Sequence, residues 1–266
     1  MLKDITLGQY YPADSVIHKM DPRTKLLATV VYVVSLFVFR NIPGFIVATA
    51  VLIALVLLSK VPFKLMAKGL KIIWVLVAIT AFFNVFFTPG DLLWQVGVLH
   101  ITWQGVRNAV FFSIRLIYLI LGTSIMTLTT TPNKLTDGLE EGLKPLNKIH
   151  IPVHEIALMM SIALRFIPLL GEETDRIKKA QMARGADFES GNMIQKVKSL
   201  VPILVPLFVS AFRRANDLAL AMEARCYHGG EGRTKMKPLH HEKRDYIAYV
   251  LMFAYLGAMI VIRVVG

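Results

Sequence analysis

Long uncharged runs constrain this chain more than any other feature. Pro22 to Phe39, Phe45 to Leu58, Ile72 to Phe87, Gly105 to Thr130 and Tyr246 to Val265 are each almost continuously apolar. A helix rises about 1.5 Å per residue and the hydrocarbon layer of a bilayer is about 30 Å thick, so runs of this kind match membrane crossings. The second run is short, and with the first it fits either a spanning helical hairpin or a re-entrant one. Of the 266 residues 55% are hydrophobic and only 18% charged, more apolar surface than a soluble core of this size needs. The pattern predicts an all-α membrane protein with about five transmembrane helices.

Local signals place the ends of these helices. Asp21-Pro22 has the form of an N-cap followed by the first helical residue. Asn41-Ile-Pro-Gly44, Ser59-Lys60-Val-Pro62 and Pro89-Gly90 are turn signals, and Thr129-Thr-Thr131-Pro132 closes the fourth run. Lys64, Lys68 and Lys71 share one helical face at the entrance to the third run. No Lys or Arg occurs from Ile72 to Val106, and Trp94 and Trp103 bracket that connector as interfacial aromatics bracket an outer loop. The N-terminal segment ahead of Leu26 is too polar for a cleaved signal peptide.

The formal charge of +12 would suggest nucleic acid in a soluble protein. Here 26 of the 30 Lys and Arg fall before Leu26, between Lys60 and Lys71, or within residues 131 to 245. All three regions lie on one side of a five-span topology, and the positive-inside rule makes that side cytoplasmic. The charge therefore reports orientation, not a nucleic-acid partner. It puts the protein in the cell membrane as a multi-pass chain, with N-terminus and arm cytoplasmic and Gly266 outside. A single cysteine, Cys226, rules out an internal disulfide and a multi-cysteine metal site, and is expected on the reducing side.

Three regions follow: a four-span part over 1–130, a cytoplasmic helical arm over 131–245, and a last transmembrane helix over 246–266. The arm holds 18 of the 30 basic and 14 of the 18 acidic residues, yet contains two long apolar-rich helical stretches, Val153 to Arg184 and about Met193 to Arg225. Pro168, Pro202 and Pro206 are expected to kink or split them. Interrupted by Arg165 or by paired prolines, these stretches suit helices lying along the inner membrane surface better than spans. Both end alike, in Ala183-Arg184-Gly185 and Ala224-Arg225-Cys226. Gly185 suits a left-handed C-cap, and an arginine at a helix C-terminus gains about 0.3–1 kcal/mol from the helix dipole. A solvated cap explains one such ending. Two at matching positions suggest guanidinium groups presented to carboxylates on a partner.

Four further segments stand in order along the chain: Ser15-x-x-His18-x-x-Asp21-Pro22-Arg23-x-Lys25, the run Leu128-Thr-Thr-Thr-Pro132, the segment Ala157-Leu-Met-Met-Ser-Ile-Ala-Leu-Arg-Phe-Ile-Pro168, and Gln181-Met-Ala-Arg-Gly-Ala-Asp187. In these residues the sequence resembles a known family, the transmembrane T component of energy-coupling factor (ECF) vitamin transporters. The resemblance implies a non-catalytic subunit whose arm consists of two long coupling helices. Two cytoplasmic ATP-binding-cassette ATPases, identical or different, would grip the helices through Ala183, Arg184, Gly185 and Ala224, Arg225, Cys226. A membrane-embedded S component would bind the vitamin and dock on the same helices, with Leu158, Ile162, Leu169, Leu204 and Phe208 as candidate contacts. Cys226 stands where the family has glycine.

The residues are compatible with that role. There is no G-x-x-x-x-G-K-[ST], and Gly229-Gly-Glu-Gly232 has neither the spacing nor the lysine, so ATP is expected on partner chains and no cofactor on this one. His150 and His154 have a metal-ligand spacing, but Pro152 interrupts the helix and no third ligand is evident, so ordinary polar histidines are expected. The same holds for His228, His240 and His241. Asp21 is explained as a cap. Ser15 and His18 have no carboxylate to complete a triad. Arg115, inside the fourth run, is expected to pair with polar groups of the bundle, and Thr123, Ser124, Thr127 and Thr129 to bond helix backbone. The alternatives are a secondary carrier or channel, a lipid-directed enzyme, or a membrane scaffold without transport coupling. The first would show repeated spans around a midplane site, and the second would need acidic or histidine residues at membrane depth.

Overall fold

A computed structural model describes residues 10–39, 41–96, 99–188, 192–230, 232, 234–236 and 238–265. For Lys68, Ile72, Leu92, Trp94, Gln95, Val96, Leu99, His100, Met193 and Lys196 it describes the backbone alone. Residues 1–9, on which part of the signal-peptide reading rests, and Glu231 of the Gly229–Gly232 segment lie outside the described set. So do the side chains of Lys68 and Trp94.

The described chain forms α1 (Val16–Lys19), α2 (Pro22–Val38), α3 (Ile42–Ser59), α4 (Phe63–Phe87), β1 (Leu92–Val96), β2 (Leu99–Thr102), α5 (Trp103–Thr129), α6 (Pro132–Leu143), a 3-10 turn (Lys144–Ile149), α7 (Val153–Ala183), α8 (Met193–Glu223) and α9 (Lys243–Val265). The protein is an all-α membrane protein apart from the hairpin β1–β2. That hairpin falls in the Pro89–Trp103 connector, where no strand is expected from the sequence, and its antiparallel register pairs Leu92 with Thr102 and Val96 with Leu99.

Two compact units divide the chain: one comprises Gly8–Gly138 with Leu239–Gly266, the other Leu139–Pro238. In the first, α2, α3, α4, α5 and α9 pack together around Leu36, Phe39, Ala48, Met66 and Met259, all fully buried. Phe45 stacks on Phe111 at 4.9 Å and meets Phe39 edge-on at 4.9 Å. Large apolar side chains elsewhere on α3, α4 and α9 are exposed, among them Leu57, Trp74, Phe87, Val250 and Leu251. In a soluble protein such surface is a liability; on spanning helices it is the face presented to lipid. The second unit contains α7 and α8.

Helix boundaries follow local chemistry. Asp21 caps α2, its carboxylate accepting the Arg23 N–H at 2.8 Å, as its Asp-Pro pair predicts. Helix α3 begins at Ile42, so the expected turn over Asn41–Gly44 is its cap and first turn. Pro43 is accommodated there because first-turn N–H groups have no helical partner. A Cβ on Gly44 would overlap the Phe39 ring, so glycine sets the approach of α3 to the end of α2. Thr102 caps α5 by accepting the Gly105 N–H at 3.0 Å.

One expectation is narrowed and one corrected. Of kinking and splitting, the splitting does not occur at Pro168, Pro202 and Pro206: α7 and α8 each run unbroken for 31 residues through them. One missing N–H removes one bond from a helix that keeps its other bonds on both sides. Arg165 and Pro168 also do not disqualify α7 as a span by length and composition. Among the described residues α3, α5, α7 and α9 are long and apolar enough to cross a membrane, and α4 joins them if its two parts, bent by 57°, form one crossing. Helix α2, with 17 residues, is shorter.

Candidate functional site

The two Ala-Arg endings share one backbone geometry. At the end of α7 the Gly185 N–H donates to Met182 O at 3.0 Å and the Ala186 N–H to Gln181 O at 3.0 Å. At the end of α8 the Cys226 N–H donates to Glu223 O at 2.8 Å and the Tyr227 N–H to Met222 O at 3.0 Å. Both are Schellman motifs, in which a left-handed residue lets two backbone N–H groups reach back to orphaned carbonyls. Gly185 takes φ 89° and Cys226 φ 54°. The cysteine therefore adopts the conformation that glycine provides at the first ending, against the steric preference of an L residue. Ala183, Arg184, Gly185, Ala224, Arg225 and Cys226 are all exposed, so each arginine stands at a closed helix end with its side chain in solvent.

Helices α7 and α8 pack against each other in an antiparallel sense. Arg214 reaches Glu173 at 3.5 Å, and Gln181, near the end of α7, donates from Nε2 to the Pro202 carbonyl at 3.3 Å, in the first third of α8. The second bond has a covalent origin. In a helix the carbonyl of residue 202 belongs to the N–H of residue 206, which is proline and has none. The Gln181 amide supplies a donor to an acceptor that the Pro202/Pro206 spacing leaves open. From this crossing Arg184 and Arg225 lie in opposite directions, on the order of 30 Å apart at 1.5 Å per residue.

The five docking candidates fall in three settings. Leu204 and Phe208 share an exposed apolar strip on α8 with Val201, Val205, Val209 and Phe212. Ile162 and Leu169 line a mixed groove between α7 and α8 together with Arg165, Glu172, Arg214 and Asp217. Leu158 is half-buried on α7.

The N-terminal residues form a buried polar knot in the other unit. Ser15 Oγ lies 2.7 Å from His18 Nδ1, and the opposite ring nitrogen lies 2.9 Å from the Tyr11 carbonyl. A backbone carbonyl thus occupies the place of a triad carboxylate, and burial lowers the imidazole pKa. Lys25, 6% exposed, donates to the carbonyls of His18 and Thr129 at 3.3 and 3.0 Å and to Thr130 Oγ1 at 3.3 Å. It ties the start of α2 to the end of α5. Burial alone would raise the Asp21 carboxyl, but the backbone N–H and guanidinium of Arg23 outweigh it and hold its pKa below the usual range.

The knot also contains Asp245, which sequence reasoning missed. Only 1% exposed, its carboxylate accepts the Asp21 N–H at 2.9 Å and the Glu242 N–H at 2.9 Å. Arg23 adds a bond to Leu239 O at 3.0 Å, so the entrances of α2 and α9 are fastened together. An acidic residue at the head of the last apolar run was the available signal.

Other expected residues have ordinary structural partners. Arg115 donates to the Phe39 carbonyl at 2.9 Å, at the end of α2, with Phe37 and Phe112 rings 5.6 and 5.5 Å from the guanidinium carbon. Thr123 and Thr127 bond carbonyls of their own helix. His150 is exposed at a left-handed position with φ 63°, while His154 pairs with Glu140 at 2.9 Å. No group of three His, Cys, Asp or Glu with metal-binding geometry occurs among the described residues.

Residues 13–236 match the family described as Cobalt transport protein (CbiQ). The chain is 53% identical to the "Energy-coupling factor transporter transmembrane protein EcfT" of Clostridium kluyveri, with 99% of this chain and 98% of that one covered. It is 51% identical to the protein of the same description in Thermosediminibacter oceani, over 94% of both chains. The identity is 46% to that of Bacillus subtilis, over 99% of this chain and 100% of the other.

Proposed function

The chain belongs to the cobalt transport protein (CbiQ) family, and on that premise we propose that it is the transmembrane coupling subunit of an energy-coupling factor importer. In this reading two ATP-binding-cassette ATPases bind and hydrolyse ATP on the cytoplasmic side of the cell membrane. A separate S component captures a vitamin or other micronutrient, and this chain transmits work between them without a catalytic site or cofactor of its own. The relatives' shared description supports the transporter class. The observation that carries the coupling role is the pair of Schellman-capped helix ends with Arg184 and Arg225 exposed in the same backbone setting. A planar guanidinium on a closed helix end has little left to order when it meets a carboxylate in a partner's groove.

Helices α7 and α8 act as levers in this reading. Their opposed tips suit two ATPases in a pair, since closure of that pair on ATP would change the separation of the two arginines and tilt whatever rests on the shafts. The apolar strip around Leu204 and Phe208 offers an S component a surface. The dense charge on the last half of α7, from Glu172 to Lys179, favours placing this arm at the cytoplasmic boundary. With the cargo site on another chain, cargo choice belongs to that chain.

Affinity purification of the tagged protein from native membranes, followed by reconstitution into vesicles, tests the proposal. ATPases and a small membrane protein should co-purify and uptake should require ATP. Truncating a buried interfacial arginine removes about 2–5 kcal/mol of binding, so Arg184→Ala and Arg225→Ala should insert normally yet lose ATPase or transport. Uptake by the purified chain alone would overturn the proposal.

A further inference from the structure

The unit Leu139–Pro238 is closed at its root by one cluster of charges. Glu140, late in α6, lies 2.9 Å through Oε1 from His154 Nδ1 in the first turn of α7. Through Oε2 it lies 2.7 Å from Lys235 Nζ in the connector after α8. Lys235 is also 3.7 Å from Glu141 Oε1. Gly230, in the same connector, lies flat against the imidazole, and a Cβ there would overlap the His154 ring. Three segments remote in sequence therefore meet within one cluster, beside the points where the chain enters and leaves the unit.

The cluster is better protected than a surface ion pair. The side chains of Glu140 and Lys235 are 11% and 28% exposed, and partial desolvation strengthens a pair relative to one in open solvent. Burial alone would raise the Glu140 carboxyl, but Lys235 and His154 outweigh it and hold its pKa below the ordinary range, so it is ionised at neutral pH. The surroundings give the cluster a mechanical consequence. Between α8 and α9 the described residues form neither helix nor strand. A force on the tip of α8 would otherwise be taken up by slack in that connector.

We propose that Glu140, His154 and Lys235 are positioning residues for coupling: they clasp the exit of the α7/α8 arm to its entrance, so that load on either arginine tip moves the arm as one body. This inference rests on the coupling role proposed above. The clasp makes no contact with ATP or cargo. Its loss should leave the partners bound and the ATPases active while less uptake accompanies each ATP hydrolysed.

Two experiments on the full complex test it. Reconstituted Lys235→Glu should retain its ATPases and hydrolyse ATP, with the ratio of clasped to open arms reduced about 5- to 30-fold and uptake per ATP lowered as the clasped fraction falls. Lys235→Arg should stay close to the starting protein, because it keeps a cation facing both Glu140 and Glu141. An unchanged uptake-to-ATP ratio in Lys235→Glu, or a loss in Lys235→Arg as large as that in Lys235→Glu, overturns the proposal. The second experiment does not depend on transport: in a Cys226→Ala background, spin labels on Leu143→Cys and Met236→Cys, both exposed and outside the clasp, should report one narrow distance distribution that broadens when Lys235→Glu is added. No broadening removes the clasp even if ATP-driven uptake is intact. Broadening in a chain that never recruits ATPases would leave the clasp standing and remove the coupling role.

Discussion

Changing Cys226 to glycine should strengthen the end of α8, and changing Gly185 to alanine should weaken the end of α7 by a comparable amount. Both residues occupy the left-handed position of a Schellman motif, at φ 54° and 89°. That conformation is disfavoured by about 1–2 kcal/mol for an L residue, and glycine's greater freedom in the unfolded chain offsets about 0.4–1 kcal/mol of the difference. The net expectation is about 1 kcal/mol, or about fivefold in the local opening equilibrium. Sterics add nothing at the first site, because a Cβ on Gly185 would meet no atom within 4 Å; the penalty there belongs to the backbone alone. Hydrogen exchange in nanodiscs reads this directly. The amides of residues 226 and 227 should exchange about fivefold more slowly in Cys226→Gly, and those of 185 and 186 about fivefold faster in Gly185→Ala. Equal exchange in parent and variants, or acceleration in Cys226→Gly, would refute the claim that the two endings are conformationally equivalent.

Three further outcomes follow from individual contacts. Asp245→Ala leaves the buried Asp21 N–H without its acceptor, at about 1–3 kcal/mol, and also loses the part-buried Glu242 bond, so the thermal midpoint in detergent should fall clearly; an unchanged midpoint contradicts the α2–α9 fastening. Gln181→Ala should destabilise the α7/α8 pair by about 0.5–1.5 kcal/mol, and the effect should vanish in a Pro206→Ala background, where the Pro202 carbonyl regains a helical donor; an undiminished effect there refutes the orphaned-carbonyl account. Burial depresses the His18 pKa below its ordinary 6.5, so below that pH the unfolded chain binds a proton that the folded chain resists. The stabilisation from neutral His18 should be complete above pH 6.5 and be lost as pH falls through the folded value; a His18→Gln variant should show a flatter decline in midpoint, and an identical decline contradicts the reading.

Features set by short-range chemistry are legible in the amino-acid sequence itself. The Asp21-Pro22 start, the two Ala-Arg endings and the apolar runs each express a rule spanning a few residues. The geometry at Cys226 was open in the sequence because glycine's absence there argues against a left-handed cap, while the Schellman bonds made by Cys226 and Tyr227 favour one; the bonds prevail. Partners distant along the chain were not legible. The Asp21–Asp245 bond joins residues 224 apart, and nothing in either local sequence marks the other. Of the two outcomes that the prolines allow, a kink or a split, the split is absent for a related reason: the acceptor vacated by Pro206 is satisfied from another helix. The hairpin β1–β2 escaped because its strands are short and its one sequence signal, the Gly97-Val98 pair, is weaker than an Asn-Gly or Asp-Gly pair. Composition could not separate α7 from a span, since length and apolar content are the same for a helix within a bilayer and one covered by a partner.

The most direct test of the coupling claim is contact at the arginine positions. With a photo-reactive residue at 184 or at 225 in membranes containing the whole complex, the account predicts that each position crosslinks to an ATP-binding-cassette ATPase, while the same probe on the apolar strip at Phe208 does not. Crosslinks from 184 and 225 to lipid or to this chain alone, in membranes where ATP-driven uptake is intact, would contradict it.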